Sequence, residues 1–259
     1  MTIETKNIKT VGKLLSVLEC FSTEDRRLSV MEIAHRTGLP RSTAHRAILA
    51  LKEVGFLDQD RMRDQYRLGL KLFQLGSIVL HNMDLQREAW PFVEALSSLA
   101  QETVHLCVFD GERMVFVESA KGGLTGLNNS TITMEISPCY CTGVGKATLA
   151  YQPDHVIEKV IGLGLKPMSP NTLTDPDALR ADLAAIRGRG YSIDHGEHEI
   201  NVHCVAAPIR NVSGQVFAAM SVSGPAERMP VERLHQLAPF VIAHADSVSR
   251  RLGCQPTPS

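Results

Sequence analysis

One stretch, Ser29 to Arg67, limits what this chain can fold into more than any other: SVMEIAHRTGLPRSTAHRAILALKEVGFLDQDRMRDQYR. Ser29 and Glu32 stand at capping-box spacing, which satisfies free amides at a helix start. Ile33 and Ala34 give that short helix an apolar side, and Gly38 ends it where left-handed backbone is tolerated. Pro40 cannot continue the helix, so the chain turns. A second helix begins near Arg41–Ser42, with Ala44, Ala47, Ile48 and Leu51 facing inward at three- and four-residue steps. Its other face opens with Arg41, Ser42, Thr43, His45 and Arg46. The pattern predicts a helix-turn-helix whose donors sit at the end of the second helix that meets base edges. The bland alternative is a pair of surface helices with a solvated basic face.

The following residues extend the unit. Phe56–Leu57 and Tyr66–Leu68 flank a polar, charged tip, which predicts a hairpin directly after the second helix. Such a hairpin is a wing, and Arg61 and Arg63 at its tip are candidates for phosphate or minor-groove contact. Local pairing with Asp58, Asp60 and Asp64 is the competing role for these arginines, although exposed pairs of that kind contribute little.

The net charge of −1 does not resemble that of a nucleic-acid binder. The average hides an asymmetry, since residues 1–83 hold 13 Lys and Arg against 9 Asp and Glu, while 84–259 hold 14 against 19. The positive excess lies with the helix-turn-helix, where phosphate contact needs it. The six cysteines show no repeated spacing and suggest no disulfide framework. Met1 to Thr10 lacks the apolar centre of a signal peptide, and no window is long and apolar enough to span a bilayer. A soluble, cytoplasmic protein with no membrane association is expected.

Along the chain, Thr10 to Phe21 carries a helical apolar stripe that would support the two helices after it. Gly69 to Met83 is strongly apolar, and the expectation is a linker helix over 69–83 packed on a second copy of the chain. The boundaries predicted are therefore 1–68 for a winged helix-turn-helix, 69–83 for the linker and 84–259 for a second domain. In that domain Leu85 to Thr103 reads as helix. Val104–Phe109 and Met114–Val117 read as a hairpin around Asp110-Gly111. Gly122 to Ser137 is turn-rich and β-branched. Helices are predicted from Gly145 and over 177–189, paired strands at 204–209 and 216–222, and a last helix over 231–251. This is an α+β arrangement with a mostly antiparallel sheet.

Three segments gather small or polar residues that packing does not demand. Cys141-Thr142-Gly143-Val144-Gly145-Lys146 leads glycines into a helix, a start whose free amides favour an anion. It is no Walker A loop, because Lys146 is followed by Ala147. Gly190 to Cys204 contains Asp194 and several histidines. In Ser221-Val222-Ser223, strand alternation places both hydroxyls on one face, where a bound carboxylate would partner them.

In GLPRSTAHRAILAL with GFL, GVGKATLA, GYSIDHGEHEINVHCVAAPI and AAMSVSGP, in that order, the chain resembles the IclR family of bacterial transcriptional regulators. The resemblance runs from about Thr10 to Arg251. It implies an N-terminal winged helix-turn-helix and a C-terminal effector-binding domain similar to GAF and PAS domains. It also implies double-stranded operator DNA as a partner, assembly as a homodimer or homotetramer, and control by a small organic molecule. Carried over residue by residue, it places the effector pocket at the amides of Gly143 and Val144 and the side chains of Asp194, Cys204, Ser221 and Ser223. Cys139-Tyr140-Cys141 departs from the family pattern. Tyr140 is expected to narrow or line the pocket, leaving room for an aromatic acid rather than a two- or three-carbon one.

The function expected is a ligand-responsive regulator, a repressor in preference to an activator, on a pseudo-palindromic operator. No cofactor or metal is expected, because His195, His198, His203, Cys139, Cys141 and Cys204 match no standard zinc spacing. Two alternatives remain: a hydrolase or amidase with Cys204 as nucleophile, and an architectural DNA-binding protein without a ligand. Against the first, His203 adjoins Cys204 in sequence, which makes it a poor base for that thiol.

Overall fold

The computed structural model describes residues 3–22, 24–60, 64–81, 84–122 and 136–255. The chain divides into two units, Met1–Asn82 and Met83–Ser259. The first holds α1 (Ile3–Leu18), α2 (Val30–Thr37), α3 (Arg41–Glu53), β1 (Leu57–Asp60), β2 (Gln65–Leu68) and α4 (Leu70–His81). Ser29 caps α2 as its spacing predicts. Its hydroxyl accepts from the Glu32 amide at 3.3 Å, and the Glu32 carboxylate accepts from the Ser29 amide at 2.7 Å. Gly38 ends the helix with φ 65°, a conformation that a Cβ would strain. Ile33, Ala47, Ile48 and Leu51 meet Val17, Leu28, Leu57 and Tyr66 in one small core. Leu28 and Tyr66 exchange backbone hydrogen bonds at 2.9 and 2.8 Å, which ties the start of α2 to the hairpin.

The apolar stripe of 10–21 mislocates the first helix. α1 starts at Ile3 and stops at Leu18, leaving Cys20 and Phe21 in the turn that leads to α2. The tip of the β1–β2 hairpin, with Arg61 and Arg63, lies outside the described residues, as do 123–135 of the predicted turn-rich stretch.

In the second unit, six antiparallel strands lie in the order β5-β4-β3-β8-β7-β6. They are β3 (Thr103–Phe109), β4 (Arg113–Ala120), β5 (Ile136–Pro138), β6 (Ser192–His195), β7 (Val202–Arg210) and β8 (Val216–Pro225). Period-two alternation gives the sheet two faces. Val104, Leu106, Val205, Ala207, Met220 and Val222 pack against α5 (Asp84–Ala100) and α9 (Val231–Arg251). Cys107, Cys204, Ala206 and Ala219 face the other way, toward α6 (Gly143–Leu149), α7 (Asp154–Gly162) and α8 (Pro176–Arg189). The fold is α+β.

α6 begins two residues before the predicted Gly145. Thr142 caps it, accepting from the Gly145 amide at 3.2 Å, so both glycines sit inside the first turn. Close approach explains them. A Cβ on Gly143 would lie 2.7 Å from the Cys204 sulfur, and one on Gly145 would collide with the Cys139 backbone. The short helix α7 buries Ile157 and Val160.

Candidate functional site

In the first unit, the inward residues of α3 fix what its other face can present. Ala44, Ala47, Ile48 and Leu51 are buried, so Arg41, Ser42, His45 and Arg46 project to solvent, with Thr43 half-buried beside them. Among the described residues, the side chains of Arg41, His45 and Arg46 are held by no hydrogen bond or ion pair. Other arginines of this unit are engaged: Arg36 with Asp25 at 2.8 Å, Arg27 with Asp60 at 3.4 Å and Arg67 with Asp58 at 3.7 Å. The α3 face thus holds exposed donors free to meet a phosphate or a base edge.

In the second unit, strand register builds a cavity. Asp194, Cys204, Ser223 and Thr103 are consecutive cross-strand partners on β6, β7, β8 and β3. The next row on the same face is Ser192, Ala206, Ser221 and His105. The start of α6 lies over β7, and between it and the sheet is a cavity of about 560 Å³. Gly143, Val144, Asp194, Cys204, Ser221 and Ser223 all line it, although up to 80 residues separate them in sequence.

Tyr140 does not. Its hydroxyl donates to the Lys166 carbonyl at 2.8 Å, and its ring lines a separate cavity of about 370 Å³ with Cys139 and Met168. The expectation that it would narrow the first pocket is corrected: the chain before Thr142 directs it toward the 163–168 segment. Lys146 also turns away from the larger cavity. Its ammonium is buried and contacts Asp182 at 2.7 Å and Glu197 at 2.5 Å. Burial alone would lower its pKa, but those two carboxylates outweigh burial and raise it, so the lysine is held charged. This pairing fastens the loop after β6 to α6 and α8. Thr172 assists, its hydroxyl donating to the Glu197 carbonyl at 2.6 Å.

Burial sets the chemistry of the cavity's titratable groups. It pushes Asp194 up to about 6, although the Glu197 amide donates to this carboxylate at 2.7 Å. Burial pushes the Cys204 thiol up to about 12, far from the thiolate that a nucleophile requires. His203 faces the opposite side of β7, with Nδ1 2.8 Å from the Met229 carbonyl. His195 pairs with it across the strands, the two rings 4.1 Å apart. His195 and His203 therefore lie on the face opposite Cys204. Among the described residues no three His, Cys, Asp or Glu side chains gather as a metal site.

His105 was missed by sequence reasoning. It lines the cavity from β3 beside Ser221, its ring edge-to-face with Phe116 at 5.2 Å. Burial, with Lys121 nearby, lowers its pKa to about 4 and keeps it neutral. The available signal was alternation: Val104 and Leu106 face α5 and α9, which sends His105 to the opposite side.

Comparison with known proteins is consistent with both regions. A family model described as the IclR helix-turn-helix domain matches residues 10–61. Another, described as bacterial transcriptional regulator IclR C-terminal, matches residues 77–250. The HTH-type transcriptional regulator XynR of Escherichia coli is 30% identical over 247 residues, 95% of this chain and 98% of the relative. The HTH-type transcriptional repressor AllR of Salmonella typhi is 29% identical over 252 residues, 97% of this chain and 92% of the relative. Among solved structures, an IclR homolog complexed with 4-hydroxybenzoate, from Microbacterium hydrocarbonoxydans, matches with a TM-score of 0.74. It is 28% identical, covering 94% of this chain and 98% of that one. Among the described residues, no helix is long and apolar enough to cross a membrane.

Proposed function

The chain belongs to the IclR family of bacterial transcriptional regulators, and from that membership we propose that it is a repressor answering to a small organic carboxylate. The observation that carries this reading is the convergence on one cavity of Gly143, Val144, Asp194, Cys204, Ser221 and Ser223. The first amides of α6 are free to receive a carboxylate oxygen, and Ser221 and Ser223 stand on the facing strand as hydroxyl donors. Asp194, with one oxygen engaged by the Glu197 amide, donates from the other to the ligand carboxylate when it is protonated. The volume is that of a small-molecule pocket. With Phe116 in the lining it accommodates an aromatic ring, which fits the ligand held by the Microbacterium homolog.

At the other end, Arg41, Ser42, Thr43, His45 and Arg46 read and anchor operator DNA, with Arg61 and Arg63 of the wing added from the sequence. Residues 69–83 form the linker between 1–68 and 84–259. Its exposed Leu70 and Phe73, 67% and 66% accessible, suit packing against a second copy in a dimer or tetramer. Two-fold symmetry then calls for a pseudo-palindromic operator. A ligand that binds the DNA-competent and DNA-incompetent arrangements unequally shifts one toward the other. The test is a gel shift on the DNA upstream of the coding region, with and without aromatic and aliphatic carboxylates. Release of the DNA by an acid supports the proposal. A shift that no acid changes, with no acid raising the melting temperature, overturns the ligand half of it.

A further inference from the structure

The cavity of about 370 Å³ that Tyr140 lines lies at β5, the edge strand of the sheet among the described residues. Tyr140 and Val160 are buried in its lining, and the Tyr140 hydroxyl is engaged by the Lys166 carbonyl, so these two residues present carbon to it. Around them stand Ile136, Leu163 and Met168, which are 53%, 56% and 47% exposed. Single exposed apolar side chains are ordinary, but three around one concavity mark a place where apolar surface gains by leaving water. The charges there do not cancel. Glu112 is held by Lys159 at 3.4 Å, whereas the side chains of Arg113 and Lys166 have no hydrogen bond or ion pair among the described residues. One polar group inside is also left over. Ser137 is 2% exposed, its hydroxyl has no hydrogen-bond partner, and it belongs to the lining of this cavity as well as the larger one. A buried polar atom without a partner is unfavourable, so a ligand oxygen beside it is stabilising.

Apolar walls, two unpaired cations and a lone buried hydroxyl together describe one class of occupant, an organic acid with a hydrophobic body. The volume suits a small molecule, whereas a stable protein contact covers about 800 Å² on each partner. We propose that this cavity is a second, accessory site for a hydrophobic organic acid, with Arg113 and Lys166 holding the carboxylate and Tyr140, Leu163 and Met168 covering the apolar body. The two cavities differ in what they select. The larger presents hydroxyls on β8 and rewards hydrogen bonding, while the smaller presents carbon, so its affinity grows with the apolar area of the ligand. The inference does not depend on how the larger cavity is used.

The test is calorimetric titration of the full chain with butyrate, benzoate, octanoate and the neutral benzamide. It compares the wild type with two double variants, Arg113→Gln with Lys166→Gln and Ser221→Ala with Ser223→Ala. Thermal melting checks that each variant folds, and the two cations are exposed, so their loss should leave the fold intact. The wild type should bind two molecules of benzoate or octanoate per chain. Arg113→Gln with Lys166→Gln should weaken one of these sites about tenfold or more, and the serine variant should keep that same site. There, octanoate should bind at least about tenfold more tightly than butyrate, and benzoate about tenfold more tightly than benzamide. Acid binding unchanged by Arg113→Gln with Lys166→Gln overturns the inference and leaves the larger cavity as the effector site. A single site that is lost in that variant and kept in the serine variant supports the inference and removes the larger cavity instead. Equal binding of benzamide and benzoate overturns the assignment to acids, and a wild type that binds no acid overturns both readings. If that variant changes no acid binding but sediments as a smaller species, the face is a contact between copies and the inference falls.

Discussion

Along α3, the side chains that face outward sit within six residues of one another on a helix whose opposite side is core, and none of its exposed cations is engaged among the described residues. The cavity of the second unit is built in the opposite way. Its polar groups come from β3, α6, β6, β7 and β8, lie against a sheet, and are positioned by strand register and by buried charge. A contact face that meets a polyanion gains from solvated, mobile cations, because binding them releases counterions. A small-molecule site gains from fixed, partly desolvated donors, because their ordering is done before the ligand arrives. Substitutions in the two regions should therefore fail differently: in α3 by loss of contact with the fold intact, in the cavity by loss of architecture.

The largest expected effect tests the architectural half. Lys146→Ala leaves the buried Glu197 without its cation, while Asp182 keeps Arg189 at 3.5 Å. Removing one partner of a buried pair costs about 3–5 kcal/mol, and denaturant unfolding should show that loss in the transition of the second unit. An unchanged midpoint would mean that the loop after β6 does not depend on this pairing. Next in size, Arg41→Ala and Arg46→Ala should each weaken operator binding by about 1–3 kcal/mol and lower its salt dependence. Melting should barely move, since exposed substitutions of this kind stay within about 0.5 kcal/mol. A variant that melts early would place its arginine in the fold rather than on the DNA.

This contrast also decided what the sequence revealed. The helix-turn-helix is written in local chemistry: the Ser29–Glu32 box, the Gly38 stop, the turn at Pro40 and the spacing of Ala44 to Leu51 each act within one or two turns. The wing strands are equally local. The cavity is not, because no local rule places β3 beside β8, more than a hundred positions later in the chain. Asp194, Cys204, Ser221 and Ser223 were reached through alternation and family resemblance. His105, in the apolar run VHLCVF, had alternation alone, with no family motif around it. Tyr140 shows the converse error, since adjacency to the glycine loop suggested a place in the pocket that the backbone before Thr142 denies it. The glycines misled in a milder way. Read as an anion loop, Gly143 and Gly145 are also spacers that let α6 lie against Cys204 and Cys139.

A smaller effect separates pocket chemistry from pocket architecture. Replacing Ser221 and Ser223 together by Ala removes two hydroxyls and no volume that the core needs. Carboxylate affinity should fall by about tenfold or more, at about 1 kcal/mol per hydrogen bond. Operator binding without ligand should be unchanged in a gel shift. Undiminished ligand affinity in the double variant would remove these serines from the site.

The smallest effect is a pH dependence that the exposed half of the molecule should not show. Asp194 titrates near 6 because it is buried, so above that pH the cavity floor holds a second negative charge beside an anionic ligand. Repulsion between the two raises the Asp194 pKa further on binding, and binding therefore takes up a proton. The sign follows: carboxylate affinity should rise as pH falls from about 7.5 toward 5.5, by up to about tenfold if the coupling is one pKa unit. His105, lowered to about 4, stays neutral across this range. His198, Glu199 and Lys121 also border the cavity, so the profile alone does not identify the group. Asp194→Asn supplies the identification, because it keeps the side-chain oxygen that accepts from the Glu197 amide and removes the charge. If calorimetry finds the same slope in Asp194→Asn as in the wild type, the titrating group lies elsewhere in the lining, and Asp194 serves the loop rather than the ligand.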